Sequence, residues 1–381
     1  MNQLSQTPAR PRLLFVQTQA ENAGAQEISR LVGEGLRARG YDVHHLFFYR
    51  VTDGSDALPN VVFVSRERPA GAWRFARFLL RLRAAIRRVR PDVVLTFQHY
   101  GNVLAAPAAR LAGVPHVIAN HVSARATVNG VVRQLDRALG LARIYDRITV
   151  NSHDLARDYA AYPERYRRLI THVPHGFEAK TTVLAQAGAR LAFGLPVEAS
   201  IIGCVSRLHP LKQIDHAIRI LPALPEVHLA VAGQGPDAPR LAALARELGV
   251  ADRFHTVGEL PASRIGAFLR TLDLFVFTTA AETFGLAAVE AAQAGVPVVA
   301  NDIPVLREVL AVDGAPAAAF VHTARTSDFA AAVEALLARP EGAEALRARG
   351  RRLAESYSLD AMIDAYEAMI VEAVLPEGRS R

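Results

Sequence analysis

The sequence is poor in cysteine, tryptophan and lysine. Its 381 residues include one cysteine, Cys204, one tryptophan and only two lysines. A single cysteine excludes an internal disulfide and suits a reducing compartment. Because Cys204 lies in the apolar run 201–205, we interpret it as a buried strand residue in preference to a reactive nucleophile.

Long apolar runs are also missing. No run approaches the roughly 18 residues that are needed to cross a bilayer. The first ten residues are polar, and the apolar run 13–16 is far too short for the core of a secretory signal. We therefore expect a cytoplasmic protein.

Acidic residues are outnumbered by basic ones. The sequence has 44 Lys and Arg residues and 37 Asp and Glu residues, which gives a net charge of +7. Arginine supplies nearly all of the positive charge, a bias that genome composition also produces. A basic balance indicates anionic partners, such as nucleic acid, phosphorylated substrates or an anionic membrane surface, and charge alone does not choose among them.

The sequence does contain a regular alternation of short apolar strands and helical stretches. At 381 residues and 51% hydrophobic content, the chain is expected to be globular with two domains. The alternation predicts an α/β fold with two doubly wound parallel sheets in succession. We place one domain at 1–178 and another at 179–359, and we expect the final helix, 360–381, to pack back on the first. The predicted strands are 12–18, 41–48, 61–64, 91–97, 115–120 and 148–151, then 201–206, 227–232, 254–257, 274–277, 296–300 and 319–321.

The stretch 281–300 is the most informative part of the sequence. An apolar strand precedes it, Gly285 begins an alanine-rich helix that ends near Gly295, and another buried strand follows. Glu282 therefore lies on the loop after a strand, and Glu290 lies inside the helix. Ligands bind beyond the carboxyl ends of parallel strands, and a helix N-terminus favours an anion. Since a carboxylate suits sugar hydroxyls, the pattern indicates a ligand with phosphate and polyol parts.

Three other predicted strand ends are followed by residues of the types that bind an anionic ligand. Arg207 and Lys212 flank the turn after the strand 201–206, where two cations would neutralise a diphosphate leaving group; a solvated loop is the alternative. Gly24 lies in the loop after the first strand, which suits either a phosphate or an ordinary turn. The turn Gly233-Gln234-Gly235-Pro236 lacks the third glycine of a nicotinamide-binding fingerprint.

Histidines follow two predicted strands of the first domain. His99 precedes a predicted helix at 104–112, and His121 directly follows the strand 115–120. A histidine at a strand end serves as a hydrogen-bond donor or proton shuttle, or it is structural, and for His121 both interpretations stay open. His172 and His175 show no metal-site spacing with carboxylates, so we predict no protein-bound metal.

The predicted helix 73–90 is dense in arginine. Arg74, Arg77, Arg81 and Arg88 fall near one face of this helix, opposite an apolar side. One interpretation is a helix packed on a sheet with its arginines in solvent. The other is an interfacial helix that binds an anionic membrane surface through residues 74–90.

Together these motifs resemble the retaining GT-B glycosyltransferases of family 4, also called glycosyl transferases group 1. The resemblance runs from Leu13 to about Met369 and is strongest in the second domain. The family's Glu-x7-Glu motif appears as Glu282 to Glu290. The other matches are Gly295-Val296-Pro297-Val298-Val299, Ser206-Arg207-Leu208 with Lys212, Gly233-Gln234-Gly235-Pro236, and Val257-Gly258.

The resemblance implies a GT-B fold, in which two Rossmann-like domains face each other across a cleft. The N-terminal domain would bind the acceptor and the C-terminal domain the nucleotide sugar. Arg207 and Lys212 would bind the donor diphosphate. The other implied donor contacts are Glu282 to the sugar hydroxyls, Glu290 to the ribose, the amides of Phe284, Gly285 and Leu286 to phosphate and sugar, Gly24 under the diphosphate, and His121 near the donor sugar and the acceptor.

The implied activity is transfer of a hexose from a nucleotide-sugar donor with retention of anomeric configuration, without a metal or other cofactor. We expect the acceptor to be a glycan or a lipid-linked intermediate of cell-envelope polysaccharide, lipopolysaccharide or glycolipid synthesis, and we expect no nucleic-acid partner. If the arginine-rich helix binds lipid, the protein works at the inner face of the membrane. The alternatives are a nucleotide-sugar isomerase and a basic polyanion- or lipid-binding protein on an inactive GT-B scaffold.

The sequence departs from the family pattern at three positions. Ala23-Gly24 stands where the family has Gly-Gly, His175-Gly176 where it has Asn-Gly, and Gln213 where a glycine follows the lysine. None of these changes removes a charged contact, so we still expect activity.

Overall fold

The protein is described by a computed structural model that covers residues 10–20, 24–50, 58–124 and 127–374. The chain divides into two compact units: Met1–Phe177 with Leu359–Arg381, and Glu178–Ser358. A parallel sheet forms the centre of each unit. The predicted α/β class with two doubly wound parallel sheets is therefore confirmed.

The first unit is built on seven parallel strands. Its elements are β1 (Arg12–Ala20), α1 (Gly24–Ala38), β2 (Asp42–Arg50), β3 (Val61–Phe63), α2 (Ala72–Val89), β4 (Val93–Phe97), α3 (Gln98–Leu111), β5 (His116–His121), α4 (Gly130–Leu141), β6 (Arg147–Val150), α5 (His153–Arg157), α6 (Glu164–Arg167) and β7 (Ile170–His172). The strand order is β3-β2-β1-β4-β5-β6-β7. Strand β4 is buried along its whole length, as expected for a parallel strand covered on both faces.

The second unit is built on six parallel strands. Its elements are α7 (Gln186–Ala192), β8 (Ser200–Val205), α8 (Ile214–Arg219), β9 (Val227–Ala232), α9 (Ala238–Glu247), β10 (Phe254–Gly258), α10 (Ala262–Leu269), β11 (Leu274–Phe277), α11 (Leu286–Gln293), β12 (Val298–Asn301), α12 (Pro304–Val309), β13 (Ala311–Val312), β14 (Ala315–Pro316), β15 (Ala319–Val321), α13 (Thr326–Ala338) and α14 (Pro340–Ser356). The order is β10-β9-β8-β11-β12-β15, and β13 pairs with β14 in a separate antiparallel ribbon.

The last helix, α15 (Leu359–Val374), packs on α1 in the first unit. A Cβ at Gly35 would lie 2.1 Å from Ile363, so the absence of a side chain there admits the helix. The buried Tyr366 hydroxyl donates to Asn120 Oδ1 at 2.7 Å, which ties α15 to the end of β5. Gly176 also donates its backbone N–H to the sulfur of Met362 at 3.2 Å.

Several elements differ from the sequence predictions. Strand β7 was missed because its three residues are only half-buried and carry no apolar run. Helix α3 begins at Gln98, six residues before the predicted start, because Gln98 takes a left-handed backbone (φ 64°) that turns the chain directly from β4 into the helix. The segment 98–103 is therefore helical.

Helix α2 uses its apolar side for the core. Phe78, Leu82, Ile86 and Val89 are buried in the same cluster as the sheet residues of the first unit. The opposite side is exposed, and Trp73 there has 81% of its surface in solvent. No helix in the described ranges has both the length and the apolar character needed to cross a bilayer.

Candidate functional site

Two loops meet at the carboxyl ends of β8 and β11, which are neighbours in the second sheet. The Lys212 ammonium pairs with Glu282 Oε1, and both side chains are largely buried. The Thr278 hydroxyl donates to the Lys212 carbonyl at 2.7 Å, and the Ala280 N–H donates to the Leu211 carbonyl at 2.9 Å. The structure thus brings the predicted cation and the predicted sugar-binding carboxylate together on loops fixed to each other.

The turn that carries Lys212 explains one departure from the family pattern. Residues Pro210–Lys212 form a single 3₁₀ turn, and the His209 ring accepts the Leu211 N–H at 3.2 Å. The next residue, Gln213, has φ 47° and ψ 41°. This left-handed conformation is the one glycine adopts most easily. Gln213 therefore preserves the turn that a glycine would make.

Arg207 is held by close packing of two loops. The Leu208 N–H donates to the Gln234 carbonyl at 2.9 Å. A Cβ at Gly233 would lie 1.9 Å from the Ser206 carbonyl oxygen, and one at Gly235 would lie 2.2 Å from that of Leu208. The glycines of the Gly-Gln-Gly-Pro turn thus allow the backbone after β9 to lie against the loop that carries the exposed Arg207.

Helix α11 begins at Leu286, directly after Gly285, whose backbone is left-handed (φ 85°). A Cβ there would lie 2.6 Å from Leu306, so both conformation and space favour glycine. No side chain caps the helix, and its first-turn amides, including that of Leu286, keep the partial positive charge of a helix N-terminus. Phe284 is buried against the Tyr357 ring with centroids 4.9 Å apart, which fixes the approach to the helix.

Glu290 lies on α11 and is buried. Its carboxylate Oε1 is 3.5 Å from the Lys180 ammonium, and each side chain is only 9% exposed. The sequence predicted Glu290 but not its partner. Because the two residues are 110 positions apart, no local pattern connects them.

In the first unit, His121 is the centre of a buried hydrogen-bond network. Its ring Nδ1 lies 2.6 Å from the Tyr159 hydroxyl and its Nε2 lies 3.1 Å from Asp136 Oδ1. Asp136 also accepts from Tyr166 at 2.6 Å and from Tyr145 at 3.1 Å. Both ring nitrogens of His121 are therefore engaged within this unit, and one bond would have to open before His121 touched a sugar.

The network holds Asp136 as an anion. Burial alone would raise the pKa of Asp136, but the electrostatic interaction and hydrogen bond with His121, together with the Tyr166 hydroxyl, outweigh burial and lower the pKa to about 2. His99, whose ring centroid is 4.9 Å from that of His121, is neutral because burial lowers its pKa to about 3. The ligand-type atoms of His99, His121 and Asp136 lie within 4.8 Å of one another. Hydrogen bonds join His121 and Asp136 in this group, and His99 contacts the His121 ring.

His175, the second departure from the family pattern, is also buried and neutral. Burial lowers its pKa to about 3. Asn151 Nδ2 donates to His175 Nε2 at 2.8 Å, which ties the segment after β7 to the end of β6. Gly24 is the first residue of α1, and Ala23, the remaining departure, lies outside the described residues.

Comparison with known proteins identifies the family. The profile described as "Glycosyl transferases group 1" matches residues 189–353, and the one described as "Glycosyltransferase Family 4" matches residues 23–180. The chain belongs to the group 1, family 4 glycosyltransferases. One curated relative in this group, a D-inositol 3-phosphate glycosyltransferase of Mycobacteroides abscessus, is 32% identical over 241 residues, which are 61% of this chain and 54% of the relative. The chain spans about half the length of the curated relatives it matches.

Solved structures of glycosyltransferases share the fold. Anabaena Alr3699/HepE, determined in complex with UDP and glucose, has a TM-score of 0.83 at 16% identity over 95% of this chain and 100% of its own. WaaG, a glycosyltransferase involved in lipopolysaccharide biosynthesis, has a TM-score of 0.72 at 15% identity over 94% of this chain and 99% of its own. At these identities the likeness shows the fold, which is GT-B.

Within this member of the group 1 family, sequence reasoning missed Lys180, Asp136 and Tyr159. One signal in the sequence pointed to Lys180, because it is one of only two lysines. Asp136 and Tyr159 lie in stretches between strands where no motif marks them. Only the tertiary structure shows their part in the network: both are buried and both hydrogen-bond His121.

Proposed function

We propose that the protein is a retaining glycosyltransferase that moves a hexose from a nucleotide-sugar donor to a glycan or lipid-linked acceptor in cell-envelope polysaccharide or glycolipid synthesis. The observation that carries this proposal is the Lys212–Glu282 pair at the carboxyl ends of β8 and β11. In this pair, the cation that we assign to the diphosphate lies beside the carboxylate that we assign to the sugar hydroxyls. Family membership supports it, as do the UDP and glucose in the HepE structure.

In the proposed reaction, Arg207 and Lys212 neutralise the charge that develops on the departing diphosphate. The amides at the start of α11, at Phe284, Gly285 and Leu286, bind phosphate and sugar. Donor binding divides the Lys212–Glu282 pair, so that the ammonium turns to phosphate and Glu282 accepts from sugar hydroxyls. Glu290 accepts from the ribose. The arginine and the lysine take the place of a metal ion in this scheme.

The bond changes in this scheme balance. The bond between the anomeric carbon and the diphosphate oxygen breaks, and a bond from that carbon to the acceptor oxygen forms on the same face. The acceptor hydroxyl gives its proton to an oxygen of the leaving diphosphate. No carboxylate is required as a covalent nucleophile, and His121 lies near the sugar and the acceptor only if its network opens.

The test is incubation of the protein with nucleotide sugars and candidate acceptors, followed by proton NMR of the product linkage. We expect transfer with retained configuration. Glu282→Ala and Lys212→Ala should each lower kcat roughly 100- to 1,000-fold, the scale of losing one transition-state contact. Glu247→Ala and Arg246→Ala, on exposed positions of α9, are the matched controls and should leave the rate unchanged.

Three outcomes contradict the proposal. An inverted linkage would exclude the retaining mechanism. Donor conversion in the absence of an acceptor would indicate an isomerase. Wild-type rates in both site variants would show that the assigned site does not act.

We also propose that an anionic membrane surface at the inner face of the cell membrane is a partner of helix α2. No acidic residue occurs between Glu67 and Asp92. The apolar side of the helix is packed in the core, so lipid would contact its outer side. On that side Trp73 is 81% exposed and Leu80 is 69% exposed. Arg77 and Arg81 lie on the same exposed side.

Liposome co-sedimentation tests this partner. Each arginine near an anionic surface contributes about 1 kcal/mol, so Arg77→Gln with Arg81→Gln should weaken binding to anionic vesicles roughly 30-fold. The control is Arg246→Gln with Arg270→Gln, which removes the same charge from exposed positions of the second unit. Equal binding of wild type to neutral and anionic vesicles would contradict the proposal.

A further inference from the structure

A cavity of about 970 Å³ in the first unit is lined by three arginines. Arg50 comes from the end of β2, Arg66 from the loop after β3, and Arg81 from α2. Residues 63–65 and Glu67 are also part of its wall. All of these residues belong to the first unit, so the cavity contains none of the second-unit residues that we assign to the nucleotide sugar.

The part of the wall that follows β3 is fixed to β2. The Val64 N–H donates to the Phe47 carbonyl, and the Ser65 N–H donates to the Phe48 carbonyl, each at 3.0 Å. These bonds continue the parallel pairing of the two strands. Arg66 therefore follows directly from a backbone that the sheet holds in place.

Aromatic contacts position the other two arginines. The guanidinium carbon of Arg50 lies 5.7 Å from the centroid of the Phe63 ring, which is within the range of a cation–π contact. Arg81 lies one helical turn after Phe78, whose ring packs edge-on against Phe48 with centroids 5.2 Å apart. Because residues three apart are neighbours on a helix, this packing holds Arg81 beside the end of the sheet.

The charge of the cavity is not balanced within the part of the chain that the structure describes. The side chains of Arg66 and Arg81 form no ion pair or hydrogen bond with the described residues. Glu67 is the only carboxylate among the described lining residues, and it forms no ion pair with any of the arginines. Three guanidiniums and one carboxylate leave two positive charges around one cavity. Like charges repel at this range, and a bound anion would remove the repulsion.

The chemistry of the wall indicates which anion fits. A guanidinium presents a planar fork of donors that matches the oxygens of phosphate. A phosphate monoester carries about two negative charges at neutral pH, equal and opposite to the charge of the wall. A single inorganic ion would leave most of the cavity empty, because cavities of this size hold organic ligands. Phe63 and Val64 supply apolar surface for the organic group.

We propose that this cavity binds a phosphate monoester through Arg50, Arg66 and Arg81. A lipid headgroup and a soluble sugar phosphate present the same group, so the experiment has one arm for each source. The proposal goes beyond the proposed function, because it assigns a ligand to residues that take no part in the transfer scheme.

The soluble source is tested by calorimetry with glucose 1-phosphate. The lipid source is tested by co-sedimentation with phosphatidylcholine vesicles that contain phosphatidic acid, a phosphate monoester. We expect wild type to bind in at least one arm. Arg66→Gln and Arg81→Gln, both at exposed positions, should each weaken that binding roughly 10-fold, the scale of one hydrogen bond to a charged group.

Two controls separate the cavity from general attraction to negative charge. Arg165→Gln with Arg167→Gln removes two charges from exposed positions of α6 in the same unit and should leave binding unchanged. In the lipid arm, vesicles with phosphatidylglycerol present a phosphodiester, and wild type should prefer phosphatidic acid. Arg66→Gln should abolish this preference. Since Arg66 lies outside α2, its effect does not come from a surface contact of that helix.

Each outcome decides the question. Arginine-dependent binding of glucose 1-phosphate supports a soluble ligand, and arginine-dependent binding of phosphatidic acid alone supports a lipid headgroup. The proposal is wrong if wild type binds neither probe, if Arg66→Gln and Arg81→Gln bind like wild type, or if the control pair loses as much affinity as they do. It is also wrong if only Lys212→Ala lowers binding, because the phosphate then lies on the donor loops. Sugar transfer is measured separately, so either proposal can fail without the other.

Discussion

Replacing Asp136 by asparagine removes the anion at the centre of the first unit. Asp136 is 1% exposed and accepts hydrogen bonds from Tyr145, Tyr166 and, through Nε2, His121. An amide keeps the shape but carries no charge, and its NH₂ group faces hydroxyl donors. The Asp136→Asn protein therefore keeps the fold and loses the charge-assisted bonds.

The expected loss follows from the pKa of Asp136. A carboxyl group whose pKa falls from 3.8 to about 2 on folding contributes about 2 kcal/mol to the free energy of unfolding at neutral pH. The sign is that of a lowered acid pKa: the contribution is complete above about pH 5, and it is lost as the pH falls through the folded-state pKa. About half is gone near pH 3.

Urea unfolding followed by tyrosine near-ultraviolet circular dichroism measures this loss. Eight of the nine tyrosines belong to the first unit, so the signal reports that unit. Asp136→Asn should be about 2 kcal/mol less stable than wild type at pH 7, and the difference should shrink toward pH 3. The control is Asp364→Asn, whose carboxylate is 67% exposed and whose ion pair is worth at most about 1 kcal/mol. A difference that does not change with pH would refute the assignment of a buried anion.

Two further predictions concern the loops of the second unit. Gly233→Ala should destabilise the protein by about 1–3 kcal/mol and weaken nucleotide binding, because the new Cβ meets the Ser206 carbonyl oxygen at 1.9 Å. Thermal unfolding checks this against Gly188→Ala, where nothing lies within 4 Å of the new carbon, and equal melting temperatures would contradict it. Gln213→Gly should change stability by no more than about 1 kcal/mol and leave nucleotide affinity unaltered, because glycine adopts the same left-handed backbone (φ 47°). A large loss of affinity in calorimetry would show that the Gln213 side chain takes part in binding.

The local sequence pattern was sufficient to predict most of the strands and the loops of the candidate site. Strand β11, the loop with Glu282 and the helix start after Gly285 were all predicted from residues 274–300. Apolar runs and glycines carry this information because they act over a few residues. The strands β7, β13 and β14 were missed because each has only two or three residues, too few to show a hydrophobic period.

Helix α2 shows how packing decides between interpretations that the sequence leaves open. The sequence shows an apolar side and an arginine side, a pattern that suits either a helix packed on a sheet or a helix bound to a lipid surface. The structure buries Phe78, Leu82 and Ile86 in the core and leaves Trp73 in solvent. Any contact with a membrane would therefore involve the exposed side of the helix, which carries Trp73.

The sequence by itself determined the α/β class, the two parallel sheets and the family, because hydrophobic periodicity and short loop motifs are local properties of the chain. Only the tertiary structure decided the partners of the site residues. It paired Glu290 with Lys180, and it enclosed His121 between Tyr159 and Asp136. Hydrogen bonds and ion pairs join residues that the fold brings together from distant positions, and no local periodicity records which of them will meet.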